Sequence, residues 1–434
     1  MQYLSFPRNS PDTPSVNFFI NSDDFPTEWG TFSAASALIL SLPPGCTAAT
    51  FDISSAYRLV PVRPAQQNHC CVLWEGKVYV DRAVCFGCRS SAGIFGAVAD
   101  MLVAIYNAYG YGPLIKWVDN FLVIWLPLYT HSEDDFIHLT GQHGVPWSLV
   151  KKRLRAIIQR YIGFDWNLAE RSVSFPEEKL TALQSLLATW LETGVRFSAS
   201  DAAHLHGKLV HACSIYILIR PFLRSLARFA ASYKSYRALL HPPSVVVNDL
   251  RWTTDLLSRL PNELPLAFPT PFDIGWFGDA SSSFGVGVVV GNFWAAWRWA
   301  DGLSVGPDHS HDIGWAEAVA VELGLHLAIR SNSLTCLPPH TARVLVRSDN
   351  AGVTAVVNKG RSRSKLTNDT LQSIYCLLAD LGLTLQAEHV ASEDNISDPL
   401  SRGDLAAFFA HFCHPLCHVP FPLPSHLQGK LISL

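Results

Sequence analysis

The chain has 434 residues, of which 49% are apolar and 16% charged, and its net charge at pH 7 is −3. That composition excludes a disordered polypeptide and predicts two or three well-cored domains, while a pI near 6.6 excludes a globally basic nucleic-acid binder. Arg, Asp or Lys interrupts every apolar run before it reaches membrane-spanning length, and no basic-then-apolar leader opens the chain. We therefore expect an intracellular protein, in the cytoplasm and/or nucleus, with no membrane partner.

Residues 1–44 are turn-rich, with Pro7, Pro11, Pro14 and Pro26 breaking any long element. Residues 16–20 read as a short strand or loop and 33–42 as a helix. A strand follows at TAATFDI, with Asp52 in it and Tyr57 just beyond, then a hairpin over 71–79 turned at Glu75-Gly76. The Gly- and Ser-rich loop VCFGCRSSAG, holding Arg89, opens a helix over 94–107. In WVDNFLVIW two apolar runs flank Asp119-Asn120, the pattern of a hairpin turned at that pair. A carboxylate at such a tip is costly unless it meets a divalent cation, although Asp-Asn is also a common turn pair in its own right. Residues 136–142 and 146–159 read as helices, and 161–168 as a tight hairpin. Helical patterns then cover 177–193 and 198–241, the second broken near Pro221.

Proline clusters after His241 predict a linker and domain boundary at 245–270. Strands then come first, at 272–280, 286–290 and 293–300. A helix over 313–329 bears Glu317 and Glu322, a strand over 342–347 ends at Asp349, and a helix begins at Ala351. A helix over 366–381, a strand over 383–390 and a short helix over 395–402 with Asp398 complete the pattern; the residues beyond Leu405 show no period.

Local charge is less even than the total. Residues 202–248 contain no Asp or Glu but hold Lys208, Arg220, Arg224, Arg228, Lys234 and Arg237, and Lys151-Lys152-Arg153 forms a second cluster. Both could neutralise phosphates along a groove, or simply form solvated helix faces. The ten cysteines show no framework spacing and read as reduced thiols. Cys85-Phe86-Gly87-Cys88 lacks a second pair to complete a zinc site. The tail cluster around Cys413, His414 and Cys417 has metal-binding residue types without a scaffold, and reads as an interface or a chance cluster rather than a metal site.

Asp279, Glu317, Asp349 and Asp398 fall at strand ends, on a helix facing the sheet, or at a helix start, with His389 just upstream of the last. Each alone could cap a helix or turn a loop. Gathered around one sheet, four carboxylates would need cations, and two Mg²⁺ ions would suit in-line phosphodiester hydrolysis. Glu322 shares a helix with Glu317 but lies five residues on and faces differently.

The segments GDASSSFGVG, WAEAVAVELGL, VRSDNAGVTAVVNKG and HVASEDNISDPLSR resemble the four blocks of a retroelement ribonuclease H domain. The resemblance implies Asp279, Glu317, Asp349 and Asp398 as metal ligands and His389 as an aid to product release or proton movement. FDISSAYRLVPV, VCFGCRSSAGIFGAVAD, WVDNFLVIW and YIGFDWNL are similar to successive blocks of a reverse transcriptase. They imply Asp52, the Ile53 carbonyl, Asp119 and Asn120 as metal contacts, with Mg²⁺ or Mn²⁺ as the ion. Tyr57 takes the position that screens out a ribose 2′-OH, and Arg89 and Lys152 are expected to touch template or nucleotide. The segments SFPRN, SVNFFI and FPTEWGTF bring the likeness nearest to DIRS-type retrotransposons, over roughly residues 3–403.

The fold so implied is α+β and α/β multidomain. A right-hand polymerase of fingers and palm (1–175, fingers shortened) would be followed by a helical thumb, connection and linker (176–270). A ribonuclease H-like mixed α/β domain (271–405) and a tail (406–434) would complete it. The function implied is RNA-directed DNA synthesis with linked hydrolysis of RNA in hybrids. Its partners would be an RNA template, a DNA primer, RNA–DNA hybrid and dNTPs; the recombinase of such elements does not follow. One position departs from the pattern: Asn120 stands where a second Asp is usual. That leaves Asp52 and Asp119 as the polymerase carboxylates. It also keeps open an alternative: a decayed or domesticated copy that binds nucleic acid with at most ribonuclease H activity.

Overall fold

The structure, a computed structural model, describes residues 13–235 and 237–434. The SFPRN segment lies outside them. The chain is a mixed α/β protein folded as two compact units. The first runs through Pro176 and takes in Glu263–Ala267, and the second comprises Glu177–Asn262 and Phe268–Leu434.

In the first unit α1 (Phe32–Ser41) starts at Thr31, whose hydroxyl accepts from the Ala34 N–H at 3.2 Å. There follow β1 (Thr47–Asp52), the hairpin β2 (Cys71–Trp74) and β3 (Lys77–Val80), α2 (Ser91–Ala108), β4 (Leu114–Trp117), β5 (Asn120–Trp125) and α3 (Glu133–Gly141). The remaining strands are β6 (Arg153–Ala156), β7 (Ile158–Tyr161), β8 (Phe164–Asn167), β9 (Ser172–Ser174) and β10 (Glu263–Pro265). Two antiparallel sheets result, in the orders β4-β5-β1-β6 and β10-β9-β8-β7. Phe51 of β1 stacks on Phe136 of α3 at 4.4 Å, and Phe136 stacks on Tyr106 of α2 at 3.8 Å. Burying those rings fixes the helices onto the central sheet. By length and apolar character α2 could span a membrane. Here seven of its residues, Phe95 and Tyr106 among them, are buried, and its Asp100 pairs with the buried Lys116 at 2.8 Å.

The helix expected over 146–159 does not form. Leu149, Val150 and Leu154 are exposed and offer no face to bury. Instead Ser148 donates its N–H to the Asp52 carbonyl at 2.8 Å, and β6 completes the open edge of β1. Residues 16–20, expected as strand or loop, form a 3-10 turn over Val16–Phe19.

The second unit opens with α4 (Glu177–Leu191), α5 (Ala199–Ala212), α6 (Leu223–Ala231) and α7 (Ser244–Arg259). The helix expected over 198–241 is thus cut short. Pro221 sits in a 3-10 turn, Ile217–Phe222, and among the described residues no helix resumes after Ala231 before α7. Nor is 245–270 a plain linker: Val246, Leu250, Thr253, Leu256 and Leu257 make a buried helical stripe, with Pro243 and Pro261 outside its ends.

The large sheet contains β11 (Phe272–Ala280), β12 (Gly285–Val290), β13 (Phe293–Trp299), β14 (Arg343–Ser348), β15 (Thr384–His389), β16 (Cys417–His418) and β17 (Leu431–Ser433). Its order is β15-β14-β11-β12-β13-β16, with β17 also on β13. β15, β14 and β11 run parallel, while β11, β12 and β13 form an antiparallel meander. Between these strands run α8 (Ile313–Arg330), α9 (Ala351–Lys359), α10 (Lys365–Leu381), α11 (Asp398–Ser401) and α12 (Leu405–Ala410). Most of α8 is buried, including Glu317 and Glu322. The aperiodic residues beyond Leu405 supply β16 and β17 and set Phe421 against Trp297 at 5.2 Å, so the tryptophans of β13 are core rather than exposed platforms.

Glu322 is fully buried; His426 meets one of its oxygens at 3.0 Å, and the other has no hydrogen-bond partner. Replacing His426 by Ala would leave a buried carboxylate with no partner. We expect a loss on the order of 3 kcal/mol, read as a lower Tm, with Glu322→Gln/His426→Ala recovering part of it.

Candidate metal centres

In the second unit β11 ends in Asp279, α8 carries Glu317 one turn from its start, and β14 ends just before Asp349. Because β11 and β14 are adjacent and parallel and α8 packs on β11, the three side chains converge. One ligand oxygen from each lies within 4.8 Å of the others. Capping does not explain them: Asn350, not Asp349, caps α9 by accepting from the Val353 N–H, and Asp312 caps α8.

Asp279 accepts from the Ser401 hydroxyl and from Asn395 Nδ2 at 3.1 Å. Neither residue was singled out from the sequence; both flank Asp398, three positions to either side. Burial pushes the Asp279 carboxyl up, reinforced by Asp349 and Asp398. Burial, then Asp279 and Asp349, push Glu317 up to about 9, against the pull of the Ala280 backbone and the Ser348 hydroxyl. Its Oε2 is buried with no hydrogen-bond donor. These residues fit a hard divalent cation: all three are oxygen donors, their mutual repulsion is unrelieved, and one buried oxygen lacks a partner.

Asp398 is not among the three. It opens α11, and its carboxylate is forked by Arg402 at 2.8–2.9 Å. His389 Nε2 lies 3.0 Å from the Asp349 backbone carbonyl, so the ring donates there when that nitrogen is protonated. Glu322 points elsewhere, toward His426.

In the first unit Asp52 ends β1 opposite Asn120 of β5, and the Ile53 N–H donates to the Asp119 carbonyl at 2.9 Å. The turn lies one position earlier than expected. Trp117 pairs with Asn120, leaving Val118-Asp119 as the loop, with Val118 at φ 55. A β-branched residue there stores strain of roughly 1–3 kcal/mol and fixes where Asp119 sits. Burial and the neighbouring Asp52 raise the Asp119 carboxyl. Asn120 Oδ1 is buried without a donor.

Lys151 pairs with Asp52 at 2.7 Å. Lys152, expected to touch template or nucleotide, meets Asp134 at 3.0 Å. Arg89 donates to the Ile20 carbonyl at 3.1 Å. The Tyr57 ring packs on Phe86 and Phe95, and burial and the Asp119 carboxylate raise its hydroxyl. Among the described residues no further group of three His, Cys, Asp or Glu approaches metal-binding geometry, including the Cys85–Cys88 pair and the tail cluster. All ten cysteines are free.

No protein-family model matches the chain, and no curated protein matches it. Among solved structures it is similar to a foamy viral protease-reverse transcriptase in complex with RNA/DNA hybrid, at 14% identity and a TM-score of 0.44, over 88% of this chain and 49% of that one. A second, the foamy viral protease-reverse transcriptase dRH with double-stranded DNA, is similar at 13% identity and 0.41, over 87% and 62%. A third, the foamy viral protease-reverse transcriptase with double-stranded DNA, is similar at 15% identity and 0.40, over 84% and 72%. The chain therefore spans about half the length of the first of these.

Proposed function

We propose that the second unit hydrolyses the RNA strand of RNA–DNA hybrids, and that the first is a reverse-transcriptase palm for RNA-directed DNA synthesis from dNTPs, in a protein of the DIRS type. The observation that carries this reading is the convergence of Asp279, Glu317 and Asp349 around an unpartnered Glu317 oxygen. Asp279, Glu317 and Asp349, with Asp398 beside them, would hold Mg²⁺ or Mn²⁺. Bound there, such ions supply an activated water and a counter-charge for the leaving oxygen. Ser401 and Asn395 orient Asp279, and Glu317, whose carboxyl burial raises, would have to give up its proton to serve as a ligand. His389, whose Nε2 lies 3.0 Å from the Asp349 carbonyl, would aid product release or proton movement. In the first unit Asp52, Asp119 and the Asn120 amide oxygen would hold the ion, and Tyr57 would test the sugar of the incoming nucleotide.

The test is Mg²⁺-dependent cleavage of a labelled hybrid by the full chain. RNA shortened with the DNA strand intact is the expected result, and an uncut hybrid at saturating Mg²⁺ and Mn²⁺ would sink the reading.

Gly287 bears on the same site. A Cβ there would come within 2.4 Å of Leu400 Cβ and 2.7 Å of the Ser401 nitrogen. Gly287→Ala should push α11 off β12, cost roughly 1–3 kcal/mol, and slow hybrid cleavage at least tenfold by displacing Ser401 and Asp398. Unchanged cleavage kinetics would show that α11 is not needed in place.

A second reading has its own support. Lys151 neutralises Asp52, and an amide stands at position 120, so the first unit has less negative charge to hold a cation. On this reading it binds nucleic acid without extending a primer. Hybrid cleavage that survives Asp52→Ala, with no primer extension, is its signature.

A further inference from the structure

A cleft of about 490 Å³ lies within the second unit, between α5 and α6 on one side and the end of α9 on the other. Arg220, Arg224, Lys359 and Arg361 line it, no carboxylate does, and none of the four has an ion-pair partner among the described residues. Arg220 donates one N–H to the Cys213 carbonyl at 3.2 Å, and Arg224 donates one to the Arg363 carbonyl at 3.0 Å. Those bonds fix both guanidinium groups but leave most of their five donors unused and their charge uncompensated. Arg220 and Arg361 line the cleft together with the buried Cys213. Lys359 gains from the carboxyl end of α9, which it closes. That accounts for one cation of the four. Gathering like charges around a concavity is unfavourable unless an anion is shared between them.

We propose that this cleft is an oxyanion site for a compact polyphosphate, with Arg220, Arg224, Lys359 and Arg361 as its ligands. Its volume suits a small ligand rather than a flat contact, and paired guanidinium forks match phosphate oxygens two at a time. The anion has two sources: a free polyphosphate, such as a nucleoside triphosphate or pyrophosphate, or successive phosphates of a nucleic-acid backbone. The site stands apart from the carboxylate cluster and is read by binding, so it succeeds or fails independently of hybrid cleavage.

The experiment titrates the full chain with inorganic tripolyphosphate, and separately with an RNA–DNA hybrid over a range of salt. It compares wild type with Lys359→Gln/Arg361→Gln, which removes no described hydrogen bond, and with Arg220→Gln/Arg361→Gln. Tripolyphosphate affinity should fall at least tenfold in both variants. If the hybrid's salt slope also drops by about two, roughly 0.9 per lost phosphate contact, the backbone is the source. If hybrid binding is untouched, the source is the free polyphosphate. Affinity for tripolyphosphate and for hybrid both within twofold of wild type in the folded Lys359→Gln/Arg361→Gln variant overturns the proposal.

Discussion

Asp279→Asn is expected to lower RNA-strand cleavage in a hybrid by roughly 10²–10³-fold or more, the scale on which single preorganised electrostatic groups act. In the absence of metal the same change should raise the Tm of the protein at pH 9. The two effects have one cause. Burial raises the carboxyls of both Asp279 and Glu317; Asp349 and Asp398 add to the effect on Asp279, and Asp279 and Asp349 push Glu317 up to about 9. The fold therefore favours their neutral forms. Stability from this source is complete below the ordinary carboxylate range near ~4 and is lost as pH rises through about 9. An amide at position 279 does not ionise and removes one repulsive neighbour of Glu317. Added Mg²⁺ should reverse the ranking, raising the wild-type Tm more than that of the variant, and more at pH 8 than at pH 6. Cleavage within tenfold of wild type in Asp279→Asn would remove Asp279 from the site.

Asn120→Asp should increase Mg²⁺-dependent primer extension on an RNA template by at least 10²-fold. The buried Asn120 Oδ1 lies opposite Asp52 with no donor, so a carboxylate there would complete a cation site rather than break a hydrogen bond. Without metal the added charge faces Asp119, already raised by burial and by Asp52, and the Tm should fall. Equal extension by the two proteins would mean that the amide oxygen serves as ligand. Silence in both, with hybrid cleavage intact, would leave the second unit as the sole active one.

The cluster of the second unit was legible because its residues mark element boundaries. Asp279 and Asp349 stand at the ends of apolar strand segments, and Glu317 lies on an apolar helix, so adjacent parallel strands and a packed helix bring them together. The angle between Glu317 and Glu322 says that only one of them can join the cluster, and the resemblance of the surrounding segment points to Glu317. The roles of Asn395 and Ser401 were not legible, because a hydroxyl or amide pointed at a carboxylate leaves no pattern in spacing. Lys151 and Lys152 are neighbours whose side chains diverge, and only the geometry around Ser148 decides which meets Asp52. The errors of fold share a cause. Residues 146–159 carry helical periodicity, but the open edge of β1 captures their backbone. Residues 244–259 are framed by prolines that flank a helix instead of dissolving it, and β16 and β17 are too short to show alternation.

The small strand β10 has a consequence for how the protein is made. It pairs with β9 in the first unit, and Ser172 bonds Glu263 across 91 residues of sequence, all but a few of them belonging to the second unit. A ribosome that has released residues through Pro176 has therefore not released the whole first unit. At ~5–20 residues per second β9 waits on the order of 5–20 seconds as a bare edge, while α4 to α7 emerge. A truncation after Pro176 makes that wait permanent, so dissecting the first unit by expression calls for joining Glu263–Ala267 back to it through a short linker.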